Sequence, residues 1–415
     1  MNARIKEQIE QINSGIVPER YQKTAFGIFP CDWETNKTLG DLGQFSKGKG
    51  IPGNKLTSEG VPCVGYGDIY MKYNYHFENA QSFVDEQTAA ESQKIGKGTL
   101  LFTATGETAE EIGKCVCYNG EKDIYAGGDI ITFVPYVLNS LFIAYQQYQS
   151  YALRQKASFG QGHSVVHIQK DRLEKLHIAF PKSTQEQARI AEILMQWDKA
   201  IELQGKLREA YQKLKKYCLN KMFPKKGSTV PEIRFPGFTA PWEQRKCKEL
   251  CSITTGKSNT QDQFEDGLYP FYIRSDVPVR SNKFLYDCEA VITIGDGQIG
   301  KVFHYVNGKF DLHQRCYKMA DFVGILGKYF FYYFSTKFYD RAIKMTAKAT
   351  VDSVRMDMIS EMDIQYPASS QEQNQIALFL ECLDNLITLH QKKREKLVAQ
   401  RKVLQQYLLT GIVRV

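Results

Sequence analysis

The feature of this sequence that constrains its fold most is an internal repeat. The segment PKSTQEQ, which begins at Pro181, recurs without a gap as PASSQEQ from Pro367. Across the stretch of about forty positions that begins with these segments, roughly fifteen are identical, far more than chance gives for ungapped segments. Val17-Pro18-Glu19 with Trp33 is matched by Val230-Pro231-Glu232 with Trp242. The chain is therefore a duplication, in which a variable part precedes a shared part twice.

The shared parts carry strong helix signals. Ser183 and Ser369 are placed to cap a helix, and Glu186 and Glu372 follow three residues later, as in a capping box. Apolar residues then alternate at spacings of four and three, which predicts a coiled-coil seam. The seam positions are Ile190, Leu194, Trp197 and Ile201, and Ile376, Leu380, Leu383 and Ile387.

Polar residues interrupt this seam near Gln204 and Arg208, and near His390 and Arg394 in the second copy. Breaks of this kind fix the register and orientation of paired helices. The seam is predicted to resume at Tyr211, Leu214 and Cys218, and at Leu397 and Leu404. The alternative is that both helices only pack on the domain beside them.

The variable parts are rich in Gly, Tyr, Phe and β-branched residues. Apolar runs at 98–103 and 290–294 predict strands, and the segments 141–156 and 327–344 predict helices. Each variable part is therefore expected to be an α+β domain.

Composition narrows the class of protein. Of 415 residues, 43% are hydrophobic and 24% are charged, which is usual for a globular chain of about two domains. Lys and Arg outnumber Asp and Glu by 54 to 46, a balance compatible with an anionic partner. The N-terminus is charged, and the apolar run 130–145 is too short to span a bilayer. We therefore expect a cytoplasmic protein with no membrane partner and with its ten cysteines reduced.

Catalytic motifs are missing from the sequence. None of the thirteen prolines adjoins another, so the Asn/Asp-Pro-Pro-aromatic motif of amino-directed DNA methyltransferases is absent. Gly256-Lys257-Ser258 lacks the upstream glycine of a phosphate-binding loop, since Cys251 stands there. No acidic residue lies two positions before a lysine in the manner of the commonest nuclease fold. The sequence therefore predicts a non-catalytic chain without metal or cofactor.

Two further motifs are duplicated in order. GYGDI at 65–69 is matched by IRSDV at 273–277, although the second copy lacks the glycine before Asp276. Thr105-Gly106 through Ile112-Gly113-Lys114 is matched by the segment 295–301, GDGQIGK, although 108–111 is inserted in the first copy. With the repeated Pro-x-Ser-x-Gln-Glu-Gln segments, this layout resembles the specificity subunit of type I restriction-modification enzymes over nearly the whole chain.

The resemblance implies an α+β fold with two globular target recognition domains separated by two long conserved helices that form an antiparallel coiled coil. The implied organisation is an N-terminal helix at 1–15, target recognition domain 1 at 16–180, a central conserved helix at 181–226, target recognition domain 2 at 227–366 and a C-terminal conserved helix at 367–415. The implied partners are double-stranded DNA, two methyltransferase (modification) subunits and restriction/translocase subunits. S-adenosylmethionine, ATP and Mg are then expected on those partners.

A helix of about forty residues is roughly 60 Å long. If the two domains read major grooves one turn apart, each reading three or four base pairs, about six or seven pairs between them stay unread. The candidate DNA-binding residues of domain 1 are Lys47, Lys49, Tyr66, Lys72, Thr103, Gln161, His163 and Ser164. Those of domain 2 are Lys257, Asn259, Arg274, Arg280, Gln298, His313, Gln314, Arg315, Lys348 and Thr350. The alternatives are a stand-alone DNA-modifying enzyme or nuclease with an unfamiliar active site, and a lone binding module.

Overall fold

The computed structural model describes residues 3–162, 165–346 and 353–415, and the chain divides into two compact units. Unit 1 comprises Met1–Glu202 with Glu395–Val415, and unit 2 comprises Leu203–Arg394. Both boundaries lie inside the long helices of the repeat. Each unit therefore contains one variable domain and part of each long helix.

Unit 1 is a mixed α+β domain. Its helices are α1 (Ala3–Asn13), α2 (Leu39–Leu42), α3 (Tyr66–Met71), α4 (Glu86–Ala90), α5 (Ser140–Gln146), α6 (Ser150–Phe159) and α7 (Lys170–Glu174). Its strands are β1 (Tyr21–Thr24), β2 (Gly27–Pro30), β3 (Trp33–Glu34), β4 (Gly43–Lys47), β5 (Val61–Val64), β6 (His76–Phe77), β7 (Ser82–Val84), β8 (Gln93–Ile95), β9 (Leu100–Thr103), β10 (Thr105–Gly106), β11 (Cys115–Tyr118), β12 (Ile124–Ala126), β13 (Ile130–Pro135), β14 (Val166–His167) and β15 (Phe180–Pro181). The long helix α8 (Thr184–Lys221) begins in this unit.

The strands of unit 1 form two main sheets, in the orders β4-β13-β9-β11-β6 and β7-β5-β12-β8. Strands β9 and β11 are antiparallel neighbours, and the segment that joins them contains the motif from Thr105 to Lys114. Strand β15 pairs with β3 beside the start of α8. The variable domain is thereby closed by strands from both of its ends.

Unit 2 repeats this plan with longer strands. Its helices are α9 (Cys247–Leu250), α10 (Gly327–Thr346) and α11 (Met356–Ser360), followed by the long helix α12 (Ser370–Leu409). Its strands are β16 (Glu243–Lys246), β17 (Ser252–Thr255), β18 (Tyr269–Tyr272), β19 (Val279–Ser281), β20 (Tyr286–Ile294), β21 (Phe303–Leu312), β22 (Cys316–Ala320) and β23 (Asp363–Tyr366). Short 3-10 helices lie at Gly53–Lys55 in unit 1 and Thr260–Asp262 in unit 2.

One long strand accounts for the main difference between the two domains. Strand β21 pairs antiparallel with β20 along its first part and parallel with β18 at its end. The sheet of unit 2 is consequently continuous, in the order β17-β22-β20-β21-β18-β19. In unit 1 two shorter strands, β11 and β12, take the place of β21, and they belong to separate sheets.

In unit 1 the first part of α8 packs beside the last part of α12. Arg401 Nε lies 2.8 Å from Asp198 Oδ1, and Arg414, just beyond α12, binds Glu186 and Asp32. Asp198 comes after Glu186 in α8, whereas its partner Arg401 comes before Arg414, so the two segments are antiparallel. Arg401 is buried and its guanidinium also lies over the Tyr75 ring, 4.0 Å from the centroid.

In unit 2 the last part of α8 packs beside the first part of α12, also antiparallel. Lys215 pairs with Asp384, and His390 Nδ1 lies 2.7 Å from Gln204 Oε1. The polar breaks in the seam are therefore paired with each other, and the predicted antiparallel arrangement is confirmed within each unit. Leu214, predicted in the resumed seam, was placed wrongly, since its side chain is 42% exposed.

The Gln-Glu-Gln segments join the long helices to the variable domains. Gln187 Nε2 donates to Pro181 O and its Oε1 accepts from Asn139 N, at 2.9 Å each. Gln373 makes the same contacts with Pro367 O and Leu326 N. Ser183 and Ser369 cap as predicted, but Glu186 and Glu372 do not close a capping box, because they bind Arg414 and Arg234 instead.

The apolar cores include residues from the long helices. Ile190 and Leu194 belong to the main core of unit 1, and Leu380 and Leu383 to that of unit 2. Burial of a leucine or isoleucine side chain stabilises by about 1.5 to 3 kcal/mol. The helices are therefore paired with each other and also packed on the domains, so the alternative that they only pack on the domain beside them is wrong.

The single helix predicted near 141–156 is in fact α5 and α6, separated by a break at residues 147–149. The matching region of unit 2 is the continuous helix α10, whose rings Phe330, Phe334 and Phe338 stack in succession. Gln147 lies within this break. It is fully buried, and neither its Nε2 nor its Oε1 has a hydrogen-bond partner.

We expect Gln147→Met to stabilise the protein by about 1 to 2 kcal/mol, because it removes a buried amide without partners and keeps the side-chain volume. Thermal unfolding measures the effect, with Gln161→Met, an exposed position, as the control that leaves stability unchanged. A lower unfolding temperature for Gln147→Met would contradict this interpretation.

None of the helices within the described ranges combines the length and the apolar character that a bilayer crossing requires.

Candidate nucleic-acid interface

The duplicated motifs of each unit lie next to the ends of sheet strands, on equivalent backbone frames. In unit 1, Ala104 N donates to Asp129 O at 3.0 Å and Gly127 N donates to Val64 O at 3.0 Å. In unit 2, Gly295 N donates to Arg315 O at 2.8 Å and His313 N donates to Tyr272 O at 3.0 Å. The backbone positions of these loops therefore correspond one to one.

Three side-chain positions are defined by these matched bonds: the residue after the first donor, the acceptor of that donor, and the second residue after the other acceptor. Unit 1 places Tyr66, Thr105 and Asp129 there, whereas unit 2 places Arg274, Asp296 and Arg315. The two domains thus share a frame but differ in charge and hydrogen-bonding capacity at the same places. We call these the three frame positions.

Close backbone approach explains two glycines at this end of the sheet. A Cβ at Gly48 would lie 2.0 Å from Gly127 O, and one at Gly256 would lie 2.1 Å from Leu312 O. Glycine is required at both places because no side chain fits. Ile51 nearby has φ of 56°, a conformation that is strained for a β-branched residue.

Several candidates in unit 1 lie on this surface. Lys47 ends β4 and Lys49 follows it, and both side chains are exposed. Tyr66 is half-buried, and its hydroxyl donates to Thr105 O at 3.0 Å. Gln161 is exposed and forms a backbone bridge with His167.

Two other candidates in unit 1 have structural partners. Lys72 Nζ is 2.7 Å from Asp68 Oδ1 and donates to Ser82 Oγ, so its charge is compensated. Thr103, predicted at the DNA surface, is fully buried and hydrogen-bonded to the Tyr70 hydroxyl at 2.9 Å. Thr103 is therefore removed from the interface, and its role is to hold Tyr70. Burial raises the pKa of Tyr70 to about 12, so that hydroxyl stays protonated and donates to Thr105 O.

Two exposed arginines of unit 2 converge on one carboxylate. Arg315 Nη1 is 2.7 Å from Asp296 Oδ2, and Arg274 Nη1 is 3.2 Å from Asp296 Oδ1. Partial burial opposes ionisation of Asp296, but the hydrogen bonds from Arg315 and Arg274 outweigh it and lower the pKa of that carboxyl. The cluster therefore carries a net positive charge at neutral pH.

The remaining described candidates of unit 2 divide into two groups. Lys257, Gln298 and Gln314 are exposed, and Gln314 Nε2 donates to Asn259 Oδ1 at 2.6 Å. Arg280 donates from Nε to Gly267 O and from Nη2 to Leu268 O, so its guanidinium holds the β18–β19 hairpin.

His313 was also predicted to reach DNA, but its side chain is buried. Its Nδ1 accepts a hydrogen bond from Arg315 N at 3.1 Å. Burial lowers the pKa of His313, in agreement with a neutral ring that accepts this bond. His313 is therefore removed from the interface and assigned to shaping the Arg315 loop. His163, Ser164, Lys348 and Thr350 lie outside the described residues.

Sequence reasoning missed Asp296, Thr105 and Asp129 as site residues. Thr105 and Asp296 stand inside the duplicated motifs at 105–114 and 295–301, but neither was a candidate DNA-binding residue. Their signal was present in the motif, whereas Asp129 has no sequence signal, because strand pairing alone brings it to Ala104.

No group of three or more His, Cys, Asp or Glu side chains in the described ranges is arranged to hold a metal ion. The Sγ atoms of Cys247 and Cys251 lie 3.6 Å apart in the core of unit 2.

The chain is similar to known proteins over most of its length. The family model described as "Type I restriction modification DNA specificity domain" matches residues 30–213 and 240–399. The MjaVIII specificity subunit of a type I restriction enzyme from Methanocaldococcus jannaschii is 25% identical, over 93% of this chain and 94% of that protein. The EcoDI specificity subunit from Escherichia coli is 25% identical over 40% of this chain and 36% of that protein.

Solved structures show the same fold. The S subunit of a type I restriction-modification system from M. genitalium has a TM-score of 0.65 at 16% identity, covering 95% of this chain and 99% of that one. The family model matches most of both variable domains and much of both long helices, so the match includes the residues of both frames. This chain belongs to the family of type I restriction-modification DNA specificity subunits.

Proposed function

We propose that this chain is the subunit that reads a bipartite DNA target with an unread spacer, and that it directs methylation and restriction by partner subunits. Each variable domain would read one part of the target. The observation that carries the proposal is the pair of equivalent frames, in which matched backbone bonds present different side chains at the three frame positions.

The chemistry of these surfaces fits base reading combined with phosphate contact. Side chains with several hydrogen-bonding groups discriminate base edges, while lysines supply affinity through phosphates. Arg274, Arg315 and Asp129 belong to the first kind, and the exposed Lys47, Lys49 and Lys257 to the second. Different side chains on one frame are what a protein needs to read two different half-sites.

Duplicated apolar positions on the long helices support binding of two copies of one partner. Leu203 and Leu389 occupy the same position of the repeat, and both side chains are exposed. Tyr217 and Val403 are a second such pair. A duplicated surface is complementary to a partner that binds twice, here two modification subunits. Those subunits would bind S-adenosylmethionine and carry out the methylation. The restriction/translocase subunits would bind ATP and Mg. The complex would act in the cytoplasm.

The test is to express this chain with its cognate modification subunit in cells without other methylation and to map methylated adenines. We expect methylation at a split sequence motif, and no methylation when either protein is omitted. A purified chain that methylates or cleaves DNA alone would instead favour the alternative of a stand-alone enzyme. Methylation without a split motif would contradict the proposal.

The spacer length gives a further prediction. Inserting seven residues after Gly205 in α8 and seven after Gln391, the matching position in α12, should widen the unread spacer by about three base pairs. Seven helical residues add about 10 Å, and one base pair advances about 3.4 Å. A heptad also preserves the side of each helix that faces the other.

The same methylation mapping measures the new spacer. Insertion of the same seven residues into the linker at 225–228, outside the helices, is the control and should leave the spacer unchanged. An unchanged spacer after the paired helix insertions would contradict a ruler role for the helices.

A further inference from the structure

The most distinctive cluster outside the apolar cores is the set of frame positions in unit 2. Asp296 is 20% exposed, whereas the side chains of Arg274 and Arg315 are 44% and 63% exposed. The carboxylate is therefore the inner member, and both guanidiniums lie outside it. Asp296 itself is anchored by a backbone bridge to Ser353.

The contacts with Asp296 leave hydrogen-bond donors on both arginines. Asp296 engages only Nη1 of each guanidinium in the described contacts, at 2.7 Å for Arg315 and at 3.2 and 3.3 Å for Arg274. A guanidinium has five N–H donors in a planar fork, so Nε and Nη2 remain. A side chain held in this way loses less conformational entropy on binding than a free one.

The loop that carries Arg315 is fixed from several sides. Gly295 N donates to Arg315 O, and Arg315 N donates to the buried His313 ring. Gln314 N donates to Ser258 O at 2.9 Å. Arg315 therefore has a rigid backbone, an oriented guanidinium and an exposed outer edge.

A planar pair of N–H donors held at a rigid surface is complementary to the major-groove edge of one base, guanine, and less so to those of the other three. Guanine presents two acceptors, O6 and N7, in the major groove, and arginine binds both at once. Adenine, cytosine and thymine each present at most one acceptor there with different neighbours. A phosphate also accepts from arginine, but a phosphate contact does not depend on which base is present, so loss of discrimination at one base pair distinguishes the two contacts.

We propose that Arg315 reads a guanine in the part of the target that unit 2 recognises, and that Asp296 is the positioning residue that orients Arg315 and Arg274 for this contact. The inference rests on the proposed function and deepens it by naming a base. Unit 1 has Asp129 at the position of Arg315, so its half-site is read by an acceptor at this place and differs in sequence.

The test compares Arg315→Gln, Arg315→Lys and Asp296→Asn in the complex of the full chain with its modification subunit. Methylated adenines are mapped, and methylation rates are measured on duplexes in which each base pair of the motif is changed in turn. For Arg315→Gln we expect a loss of about 10- to 100-fold in discrimination at one G·C pair in one half of the motif. The other half should be read as before.

The lysine variant separates guanine reading from a simple charge contact. Lysine keeps the charge but not the planar fork, so Arg315→Lys should also lose discrimination at that pair. Asp296→Asn should reduce discrimination at the same pair by a smaller factor, which a purely structural role would not do. Asp129→Asn, the matched change in unit 1, should alter only the opposite half of the motif.

The outcomes separate this inference from the proposed function. If the unmodified complex yields no split motif, the proposed function fails. If it yields a split motif, and Arg315→Gln lowers methylation equally on all sequences, then the function stands and guanine reading by Arg315 is overturned. Thermal unfolding of each variant verifies that the substitutions leave the fold intact.

Discussion

Replacing Arg401 with leucine is expected to lower the unfolding temperature of unit 1 by about 10 °C. Arg401 is buried, pairs with Asp198, and donates from Nη1 to the Tyr75 hydroxyl at 2.9 Å. Its guanidinium also lies over the Tyr75 and Tyr145 rings. Removing one partner of a buried ion pair costs about 3 to 5 kcal/mol, and about 2 to 4 °C is lost per kcal/mol in a domain of this size.

The duplication supplies the control for this prediction. In unit 2 the matching pair is Lys215 and Asp384, and Tyr332 bonds Asp384 as Tyr145 bonds Asp198. Lys215 and Asp384 are 23% and 39% exposed, so Lys215→Leu should cost less than about 1 kcal/mol. Calorimetry of both variants measures the difference, and equal losses would show that burial does not set the strength of these pairs.

Replacing Lys156 with methionine is expected to stabilise unit 1 by about 2 to 3 kcal/mol at pH 7. Lys156 is buried, and its Nζ donates to Gly113 O at 2.9 Å. Burial lowers its pKa from 10.5 to about 8, which corresponds to a cost of about 3 kcal/mol for holding the charged form in the folded protein. Methionine removes that cost, but loses a hydrogen bond that contributes about 1 kcal/mol.

The sign of the pH dependence follows from the same shift. Below pH 8 both the folded and unfolded states hold the proton, and the full cost is present. Between pH 8 and about 10.5 the unfolded state binds the proton and the folded state does not, so stability rises with pH through this group. The advantage of Lys156→Met should therefore shrink across that window.

Thermal unfolding at pH 7 and at pH 10 measures both effects. Lys175→Met, at an exposed lysine, is the control and should change stability little at either pH. A Lys156→Met variant that is less stable at pH 7 would show that the bond to Gly113 O outweighs the burial of the charge.

The repeat alone was sufficient to predict the architecture. It predicted two α+β domains and two long helices, because the duplicated cap and the alternating apolar spacing are local properties of the chain. The helix ends, α8 at Thr184–Lys221 and α12 at Ser370–Leu409, fall close to the sequence signals, since serine caps act on the nearest backbone N–H groups.

The sequence did not predict which individual side chains are buried. Thr103 and His313 have residue types suited to DNA contact, yet both point into their domains, and Leu214 faces solvent although its spacing fits the seam. Exposure depends on which strands and helices cover a position, and those neighbours are distant in sequence.

The local motifs and the family resemblance were present in the sequence, but the arrangement of the frame positions came only from tertiary structure. Arg274, Asp296 and Arg315 come from three separate segments, and only the pairing of β18, β20, β21 and β22 brings them together. The physical reason is that hydrophobic periodicity and capping act over a few residues, whereas ion pairs and strand register join residues that the chain itself keeps far apart.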